Sequence, residues 1–458
     1  MSHVKLMNAR LLTGEWVSLA LEPGSSSIPG KIQGVVVESG AVRPAAGSMS
    51  LRQVTDFAAL GPGTQVDAEG MTIVPAAIDA HIHAREPGLE HKETWSTVAL
   101  GAFRGGVICV ADMPNTKPPT MTRDAVLQKA RCAAASGVDF RFWLGVGKSN
   151  VSGIAELLAD ESLPLAGLKV FYGQSTGDLM FADLDALERH LPQSGAAREK
   201  TIVFHSEDQC AIDHNADILR AEIAKNPDSR RDFRLHSRIR SSAAALSSTR
   251  IILDWAVRTK RPAHIAHVST PGEIEMINEA KARGARVTGE VAPHHLLFSI
   301  DDYDRLGPWI KINPPVRSRA EVDALRKLVG AGLVDIFATD HAPHTKEEKA
   351  KDIEGCPSGA PALEYFYPLL LRIMADTGLA PAKALDMVTT APAQLLGLHS
   401  GPRIAVGERI DLVAIDRRAA PARHDEVVSK CGWTPYDGMS LPCRVIATWK
   451  SGRRVWSN

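Results

Sequence analysis

The chain lacks the features that mark membrane proteins, secreted proteins and nucleic-acid binders. No apolar run approaches the roughly 20 residues that a bilayer-spanning helix needs. The N-terminal residues have no apolar core of a secretory signal. Lys plus Arg and Asp plus Glu both number 53, so no excess of positive charge is available for nucleic acid or anionic lipid. The sequence therefore predicts a cytoplasmic protein with neither kind of partner.

Cysteine is also scarce, and its spacing excludes two common uses. The six cysteines include no CxxC pair, so neither a disulfide framework nor a zinc finger is indicated. Most lie in apolar or helical surroundings, which predicts reduced thiols, as in cytosolic proteins. They are Cys109, Cys132, Cys210, Cys356, Cys431 and Cys443.

What the chain does contain is a regular alternation of short apolar runs and amphipathic segments. With 458 residues and 44% hydrophobic residues it can bury a large core. Eight runs rich in β-branched residues alternate with segments of helical spacing, which predicts an α/β fold, a (β/α)₈ TIM barrel. The fifth connection, residues 208–262, is long enough for more than one helix. The runs are IVPAAIDAHIH, GVICVADMP, FRFWLGV, GLKVFY, TIVFHSE, AHIAHVS, ARVTGEVAPH and VDIFATDH.

The two ends of the chain follow a different pattern. Residues 1–72 and 400–458 carry short strand-like runs with glycine turns and no helical period. The stretches GKIQG and WKSGRR are typical of hairpin turns. We expect both ends to form one small β-sandwich-like domain beside a barrel of residues 73–399.

The stretch DAHIHAREPG, residues 79–88, places two histidines one residue apart at the end of a predicted strand. Side chains alternate along a strand, so Asp79, His81 and His83 share one face. Two imidazoles directed at one point suit a metal ion. From this stretch alone, a pair of hydrogen-bonded core histidines explains the pattern equally well.

Polar residues at the ends of the other strands favour the metal. Chemistry in such barrels lies at the rim formed by the carboxyl ends of the strands. Core histidines placed at random would not keep to that rim. The residues predicted there, besides His81 and His83, are Asn115, Lys169, His205, His267, Asn313 and Asp340.

The motif series resembles that of the dihydroorotases, in the amidohydrolase superfamily. The stretches DAHIHAREPG, MPNTKPPT, GLKVFYGQSTGDL, AHVST, EVAPHHL, INPPVR and ATDHAPHTKEEK occur in the order that the family has, from residue 79 to about 350. REPG, MPNT, NPP and TDHAPH together are specific, whereas HxH alone would fit many amidohydrolases. The resemblance implies a (β/α)₈ barrel hydrolase that reversibly cyclises N-carbamoyl-L-aspartate to (S)-dihydroorotate in pyrimidine biosynthesis.

The resemblance also implies two divalent metal ions, with zinc as the expected metal. One ion would be held by His81, His83 and Asp340, and the other by His205 and His267. An ammonium on Lys169 would add positive charge beside two cations, whereas burial and cations drive a lysine towards its neutral amine. A neutral amine can react with CO₂, so we expect Lys169 as a carbamate that bridges the ions. Two alternatives are a lysine paired with an acid and an aspartate ligand from the next loop, Asp178.

For the substrate, the resemblance implies a cyclic amide that carries a carboxylate. Arg85 would grip that carboxylate bidentately. Asp340 would be the general acid and base, exchanging a proton with a hydroxide that bridges the metals. The other substrate-binding residues would be Asn115, Asn313, His344 and the backbone near Gly359 and Ala360, although the local stretch CPSGAPALEY departs from the family pattern.

Two alternatives to this function stay open. An allantoinase or hydantoinase would share the fold and the metals, but Arg85 and the MPNT stretch argue against both. An inactive partner of aspartate carbamoyltransferase would usually have lost metal ligands. All six predicted metal ligands are present in this sequence. We expect a homodimer, and association with that enzyme stays open as an alternative. Of the remaining histidines, His294 and His295 are predicted to be structural, and His91, His190, His214, His236 and His424 surface or helix residues.

Overall fold

Eight parallel strands form a nearly closed barrel at the centre of the molecule. The structure, a computed structural model, describes residues 3–22, 24, 28–45, 47–174 and 179–458, without the side chain of residue 222. Each barrel strand pairs with the next one in the sequence. The strands are Ala77–Ile82, Val107–Asp112, Asp139–Gly145, Leu165–Phe171, Thr201–His205, Ala263–Ile265, Val287–Val291 and Ile336–Phe337. They confirm the eight predicted strands and the barrel.

The first and eighth strands meet through irregular backbone. The amide of His83 donates to the carbonyl of His341 (2.8 Å), and Ile82 forms a parallel bridge with the same residue. One layer below, the backbone amide of Thr339 donates to the Asp79 carboxylate (3.1 Å). These contacts bring residues 339–341 beside the first strand and place Asp340 next to the two histidines.

The helices around the barrel start and stop where the sequence provides caps. Thr94 and Thr270 each form a capping box, and Gly106 ends the first helix in the left-handed conformation. None of the helices that the structure describes is long and apolar enough to cross a membrane. The α-helices are Trp95–Gly105, Arg123–Ala134, Ile154–Ala159, Leu184–His190, Gln209–Lys225, Arg234–Ile239, Ser242–Thr259, Pro271–Ala282, Pro293–Leu297, Tyr303–Leu306, Arg319–Gly330, Lys346–Lys349, Phe366–Thr377, Pro381–Asp386 and Thr390–Leu395.

The long fifth connection contains several helices, as its length predicted. Three of them, Gln209–Lys225, Arg234–Ile239 and Ser242–Thr259, lie between the fifth and sixth barrel strands. The middle helix is buried on one face, and its His236 and Ser237 contact the loop that follows the seventh strand. The connection therefore contributes to the wall of the barrel mouth.

Both ends of the chain contribute to a separate nine-stranded sheet. Its main path runs from Arg453–Ser457 at one edge to Lys31–Glu38 at the other, around its own aliphatic core. WKSGRR is a turn as predicted, but GKIQG lies mostly in a strand, so that turn prediction was wrong. The strands are Val4–Arg10, Trp16–Glu22, Lys31–Glu38, Met49–Ser50, Gln65–Asp67, Thr72–Pro75, Leu412–Asp416, Arg444–Lys450 and Arg453–Ser457, and Ala420–Pro421 pairs separately with Ser440–Leu441.

A C-terminal segment, residues 429–436, lies against the barrel instead of the small sheet. The indole of Trp433 donates to the carbonyl of His344 (2.7 Å), and Tyr436 stacks on Phe298. Ser429 donates to the buried carboxylate of Glu93. The segment thus supports the loops that form the substrate side of the mouth.

Short 3-10 helices complete the connections. Ser50 and Asp56 accept backbone hydrogen bonds at the start of the first two, as expected for turn-forming polar residues. They are Leu51–Gln53, Phe57–Ala59, Val151–Gly153, Ala196–Glu199, Pro227–Arg231, Ile300–Asp302, Gly307–Ile310, Leu363–Tyr365 and His424–Glu426.

Candidate metal centre and substrate pocket

His81, His83 and Asp340 meet at the junction of the first and eighth strands. The Nε2 atoms of His81 and His83 lie 3.2 and 3.1 Å from the same carboxylate oxygen of Asp340. All three residues are buried. The strand alternation predicted from the sequence therefore puts both imidazoles on one face, where they share a single carboxylate.

The opposite nitrogen of each of these histidines contacts a polar side chain from another part of the barrel. His81 Nδ1 contacts Glu290 Oε1, and His83 Nδ1 lies 2.6 Å from the Asn115 amide oxygen. Such contacts fix the ring orientation and leave Nε2 directed into the mouth. Asn115, expected to bind substrate, thus has its amide oxygen against an imidazole.

Glu290 joins three strands and was missed by the sequence reasoning. Its Oε2 lies 3.0 Å from His264 Nε2, and the backbone amide of His267 donates to Oε1 (3.1 Å). Burial raises the pKa of Glu290, but the paired imidazoles of His81 and His264 hold it well below its usual range. The available signal was a glutamate within the apolar run of the seventh strand.

The fourth, fifth and sixth strands supply Lys169, His205 and His267. His205 Nδ1 lies 3.0 Å from His267 Nε2, and the rings of His81 and His267 are 5.2 Å apart. His205 Nε2 contacts the buried Glu207 at 2.9 Å, and Arg240 pairs with that same carboxylate at 2.7 Å. Glu207 and Arg240 are further supports that the sequence reasoning missed.

Lys169 is fully buried, and its amine has no hydrogen-bond partner among the described residues. Burial lowers the pKa of Lys169 to about 8, although Glu290 and Asp340 act in the opposite direction. Burying an amine without a hydrogen-bond partner costs free energy unless another group bonds to it. The side chain therefore fits a modified or metal-linked lysine, and no carboxylate pairs with its Nζ within the described part of the chain.

Ligand atoms of His81, His267 and Asp340 lie within 4.8 Å of one another, close enough to hold one metal ion. Two of these residues, His267 and Asp340, have positive φ angles of 37° and 46°. Strained backbone at residues other than glycine collects at functional sites. Asp178, the alternative ligand, lies outside the described residues.

Arg85 forms the substrate side of the mouth immediately after the two histidines. Its Nε donates to the carbonyl of Pro343 (3.1 Å), and its Nη2 lies 3.2 Å from His344 Nε2. Burial lowers the pKa of Arg85 to about 10, so the guanidinium stays charged at neutral pH. The backbone at Arg85 also has a positive φ, 67°.

His344 stands behind Arg85 and is fully buried. Its Nδ1 lies 3.0 Å from the Lys92 amine and its Nε2 lies 3.1 Å from the carbonyl of Ser358. The imidazole therefore connects Arg85 to the loop that contains Gly359. This placement makes it a support for Arg85, whereas the sequence predicted a direct donor to substrate.

Gly359 brings its backbone to the pocket in a conformation that only glycine adopts readily. Its φ is 145°, and a Cβ atom there would lie 2.6 Å from the carbonyl oxygen of Ala342. Its amide donates to the carbonyl of Lys311 (2.9 Å), and Ala360 accepts from the amide of Ala342 (2.9 Å). These bonds hold the 358–360 loop against the residues that follow Asp340.

The pocket brings together most of the predicted site residues. His205, His344 and Ala360 stand behind its surface. His236 lies on a helix, one of the two positions predicted for it, but it is buried and faces Asn313, so the surface option is wrong. The lining residues are His81, His83, Arg85, Asn115, Lys169, Phe171, His267, Asn313, Asp340, Ala342, Ser358 and Gly359.

The histidines that follow the seventh and eighth strands are buried structural neighbours. His295 Nε2 contacts the carbonyl of Pro314 (2.8 Å), and burial lowers the pKa of His294 to about 4. His341 Nδ1 accepts from the amide of Ala362 (3.2 Å). These side chains pack the rim around the site.

A (β/α)₈ barrel with imidazoles, a carboxylate and a buried lysine at its carboxyl rim defines the class of metal-dependent amide hydrolases. Comparison with protein families agrees. The Amidohydrolase family matches residues 196–455, and a Dihydro-orotase-like family matches residues 70–147.

Comparison with individual proteins gives the narrower assignment. A dihydroorotase of Halobacterium salinarum is 38% identical over 385 residues, which cover 82% of this chain and 86% of that protein. Dihydroorotases of Methanosarcina mazei and Bacillus caldolyticus are 34% and 35% identical; the matches cover 84% and 85% of this chain, and 84% and 88% of those proteins. The chain belongs to the dihydroorotase family.

Solved structures agree on the fold. An L-hydantoinase from Arthrobacter aurescens superposes with a TM-score of 0.84 at 24% identity, covering 100% of this chain and 96% of that one. A dihydropyrimidinase from Brevibacillus agri gives 0.80 at 21% identity, with 99% and 95% covered. At this identity the likeness establishes the barrel and its companion sheet.

Proposed function

We propose that this chain catalyses the reversible cyclisation of N-carbamoyl-L-aspartate to (S)-dihydroorotate. The observation that carries the proposal is the convergence of four imidazoles, Asp340 and Lys169 at one barrel mouth, directly beside the buried cation Arg85. Family membership supports the same reaction. The substrate is a cyclic amide that carries a carboxylate, and the guanidinium of Arg85 in the pocket lining supplies the matching positive charge.

Two divalent ions would complete the site. His81, His83 and Asp340 are the residues for one ion, His205 and His267 for the other, and Lys169, carboxylated by CO₂, for a bridge between them. The unpartnered Nζ of Lys169 fits such a modification. When bound, the ions would polarise a carbonyl and lower the pKa of water. Imidazole and carboxylate ligands suit zinc, with manganese or cobalt as alternatives.

Arg85 would bind the carboxylate of the substrate. Its contacts with Pro343 and His344 fix the plane of the guanidinium, so the remaining N–H groups can meet a carboxylate bidentately. Because Arg85 follows His83 by two residues, the bound carboxylate fixes the ring relative to the metal ligands. Gly359 and Ser358 would lie along the opposite side of the ring.

Asp340 would carry the proton during ring opening. A water oxygen adds to the ring carbonyl carbon, the carbon–nitrogen bond breaks, and Asp340 takes the water proton and delivers it to the leaving nitrogen. Burial raises the pKa of Asp340, but His81 and His83 hold it well below its usual range, so the side chain is an ionised carboxylate at neutral pH. Ring closure uses the same carboxylate in the reverse order.

An assay against four substrates tests the proposal. The purified chain should interconvert dihydroorotate and N-carbamoyl-L-aspartate and leave allantoin and dihydrouracil almost untouched, and elemental analysis should find two metal ions per chain. Faster turnover of allantoin or dihydrouracil would assign the chain to the other cyclic amidohydrolases. A metal-loaded chain without turnover of any of the four would favour the role of an inactive partner of aspartate carbamoyltransferase. A homodimer, that association, a cytoplasmic location and the domain boundaries at residues 72 and 400 stay predictions.

A further inference from the structure

His236 lies on the helix Arg234–Ile239 of the fifth connection and reaches the substrate pocket from behind. Its Nε2 lies 2.9 Å from the side-chain oxygen of Asn313 and 2.8 Å from the backbone carbonyl oxygen of Ile312. The side chain is 6% exposed. Asn313 lines the pocket, so His236 contacts the pocket wall without forming its surface.

The contact with Ile312 determines which atom of His236 carries the proton. A backbone carbonyl can only accept a hydrogen bond, so Nε2 must be the protonated nitrogen. Burial lowers the pKa of His236 to about 3, and Lys311 and Arg240 act in the same direction, so the ring is neutral and has a single N–H group. The group of Asn313 that faces this N–H is therefore its oxygen.

Because the oxygen of Asn313 faces His236, the amide nitrogen is the group of this side chain that keeps both of its hydrogen-bond positions for the pocket. That nitrogen carries two N–H donors, and no described residue accepts a hydrogen bond from it. We therefore expect a bound ring to present a hydrogen-bond acceptor at this position. A ring N–H placed there would set donor against donor.

We propose that His236 is a positioning residue that makes the pocket selective for cyclic amides with a ring carbonyl oxygen facing Asn313. The proposal rests on the function given above, because it assigns one contact of the same substrate. Such a site pairs with one atom of its substrate. An analogue that places the opposite hydrogen-bonding group at this position leaves buried polar groups unpaired and is therefore disfavoured. Arg85 orients the carboxylate of the ring, and Asn313 would fix its rotation.

Two substitutions of His236 separate the hydrogen bond from packing. Gln places its amide N–H near the position of Nε2, whereas Met fills a similar volume without a donor. Four quantities are measured for wild type, His236→Gln and His236→Met. They are KM for dihydroorotate, kcat, the content of bound metal and the thermal midpoint. His214→Met, on an exposed helix position, is the matched control.

His236→Met should raise KM by about 3- to 10-fold, with kcat and metal content close to wild type, and His236→Gln should recover most of the loss. Equal KM values for all three proteins, or a Gln variant no better than Met, would overturn the proposal. If wild type itself leaves dihydroorotate unchanged, the proposed function fails instead.

A second pair of measurements remains informative if His236→Met does not fold. Two-bond ¹H–¹⁵N NMR, assigned through His236→Gln, should show the Nε2–H tautomer of His236 in the free enzyme, independently of any substrate. Asn313→Asp keeps His236 intact but replaces the donor by an acceptor, and it should raise KM at least as much as His236→Met. An Nδ1–H tautomer, or an unchanged KM in Asn313→Asp, would refute the assignment.

Discussion

The predicted metal ligands on the two sides of the barrel mouth differ in how completely their polar atoms are paired. On the side of the first and eighth strands, the outer nitrogens of His81 and His83 meet Glu290 and Asn115. On the side of the fourth to sixth strands, the amine of Lys169 and the Nδ1 of His267 have no partner among the described residues. Both sides are equally buried, so solvent does not explain the difference.

The difference suggests the hypothesis that contacts within the protein hold the first side in place, whereas Lys169 and His267 on the second side would gain partners from added groups. An unpaired buried polar atom costs about 1–3 kcal/mol, so the fold carries a cost on the second side. Metal ions and CO₂ that bind there would offset it and would stabilise the folded chain. Substitutions on the two sides should therefore differ in what they disturb.

Asp340→Asn should have the largest effect, because it removes the acid–base group from the preformed side. We expect kcat to fall by about 10²- to 10⁴-fold, the usual contribution of a positioned proton carrier. The fold should persist, since Asn keeps the shape of the side chain. Steady-state kinetics with elemental analysis measures the effect, and Asp323→Asn on an exposed helix position is the control. Near-normal kcat would refute the role of Asp340.

Lys169→Ala should instead disturb the second side through its metal content. Loss of the bridging group should remove metal and reduce activity by more than the about 10- to 100-fold that loss of a supporting residue typically causes. Lys169→Glu, which supplies a carboxylate without CO₂, should retain more metal than the Ala variant. Reconstitution of metal-free wild type should depend on bicarbonate, and reconstitution of Lys169→Glu should not.

Thermal melting measures how much metal binding stabilises wild type and the Lys169→Ala variant. Chelation should lower the thermal midpoint of wild type more than that of Lys169→Ala, because the variant has less metal binding to lose. Lys148→Ala, at an exposed position, should behave as wild type. Full metal content and full activity in Lys169→Ala would contradict the hypothesis of a carboxylated lysine.

Arg85→Met tests whether the preformed side extends to the substrate. Loss of a charge-assisted contact of about 1.5–3 kcal/mol should lower kcat/KM for dihydroorotate by roughly 10- to 100-fold, mainly through KM. Metal content should be unchanged, because Arg85 contacts Pro343 and His344 and no ligand atom. Arg250→Met on an exposed helix position is the control. A variant that loses metal and keeps KM would contradict this assignment.

Glu290→Gln tests the connection between the two sides. The carboxylate contacts the ring of His81, the ring of His264 and the backbone amide of His267, so it orients ligands on both sides. Metal affinity should fall by about 10- to 100-fold, as for other residues that orient ligands. Competition with a chelator measures it, and Glu275→Gln is an exposed control. Unchanged affinity would show that His81 is oriented by packing alone.

The elements that the sequence predicted are those with a local pattern. The eight strands follow from short β-branched runs between amphipathic segments, and the rim residues follow because parallel strands end on the same side of the barrel. The sequence therefore predicts His81, His83, Lys169 and Asp340 at one rim. The strand Lys31–Glu38 was partly misassigned because its glycine suggested a turn, whereas pairing with Trp16–Glu22 overrides that preference.

The supports of the site have no local pattern. Glu290 acts on His81 from 209 positions away, and His236 acts on Asn313 from 77 positions away. Such pairs are set by the relative positions of strands and helices, which periodicity does not encode. The positive φ angles at Arg85 and Asp340 are imposed by tertiary contacts as well, since these residue types rarely adopt them alone.

Gly359→Ala should have the smallest effect, and it tests how far the rigidity of the first side extends. The new Cβ would lie 2.6 Å from the carbonyl oxygen of Ala342, two residues after Asp340, so the loop must shift away from the pocket. Gly378→Ala is a matched control, because its φ is also positive, 72°, but no atom lies within 4 Å of its Cβ position.

Gly378→Ala should lower stability by about 1 kcal/mol through backbone strain, and Gly359→Ala should lower it further because of the contact with Ala342. Only Gly359→Ala should raise KM for dihydroorotate, by a few-fold, while kcat and metal content stay near wild type. Urea unfolding and steady-state kinetics on the two variants separate these effects. If both variants leave KM unchanged, the 358–360 loop tolerates displacement, and the rigid part of the mouth ends at the metal ligands.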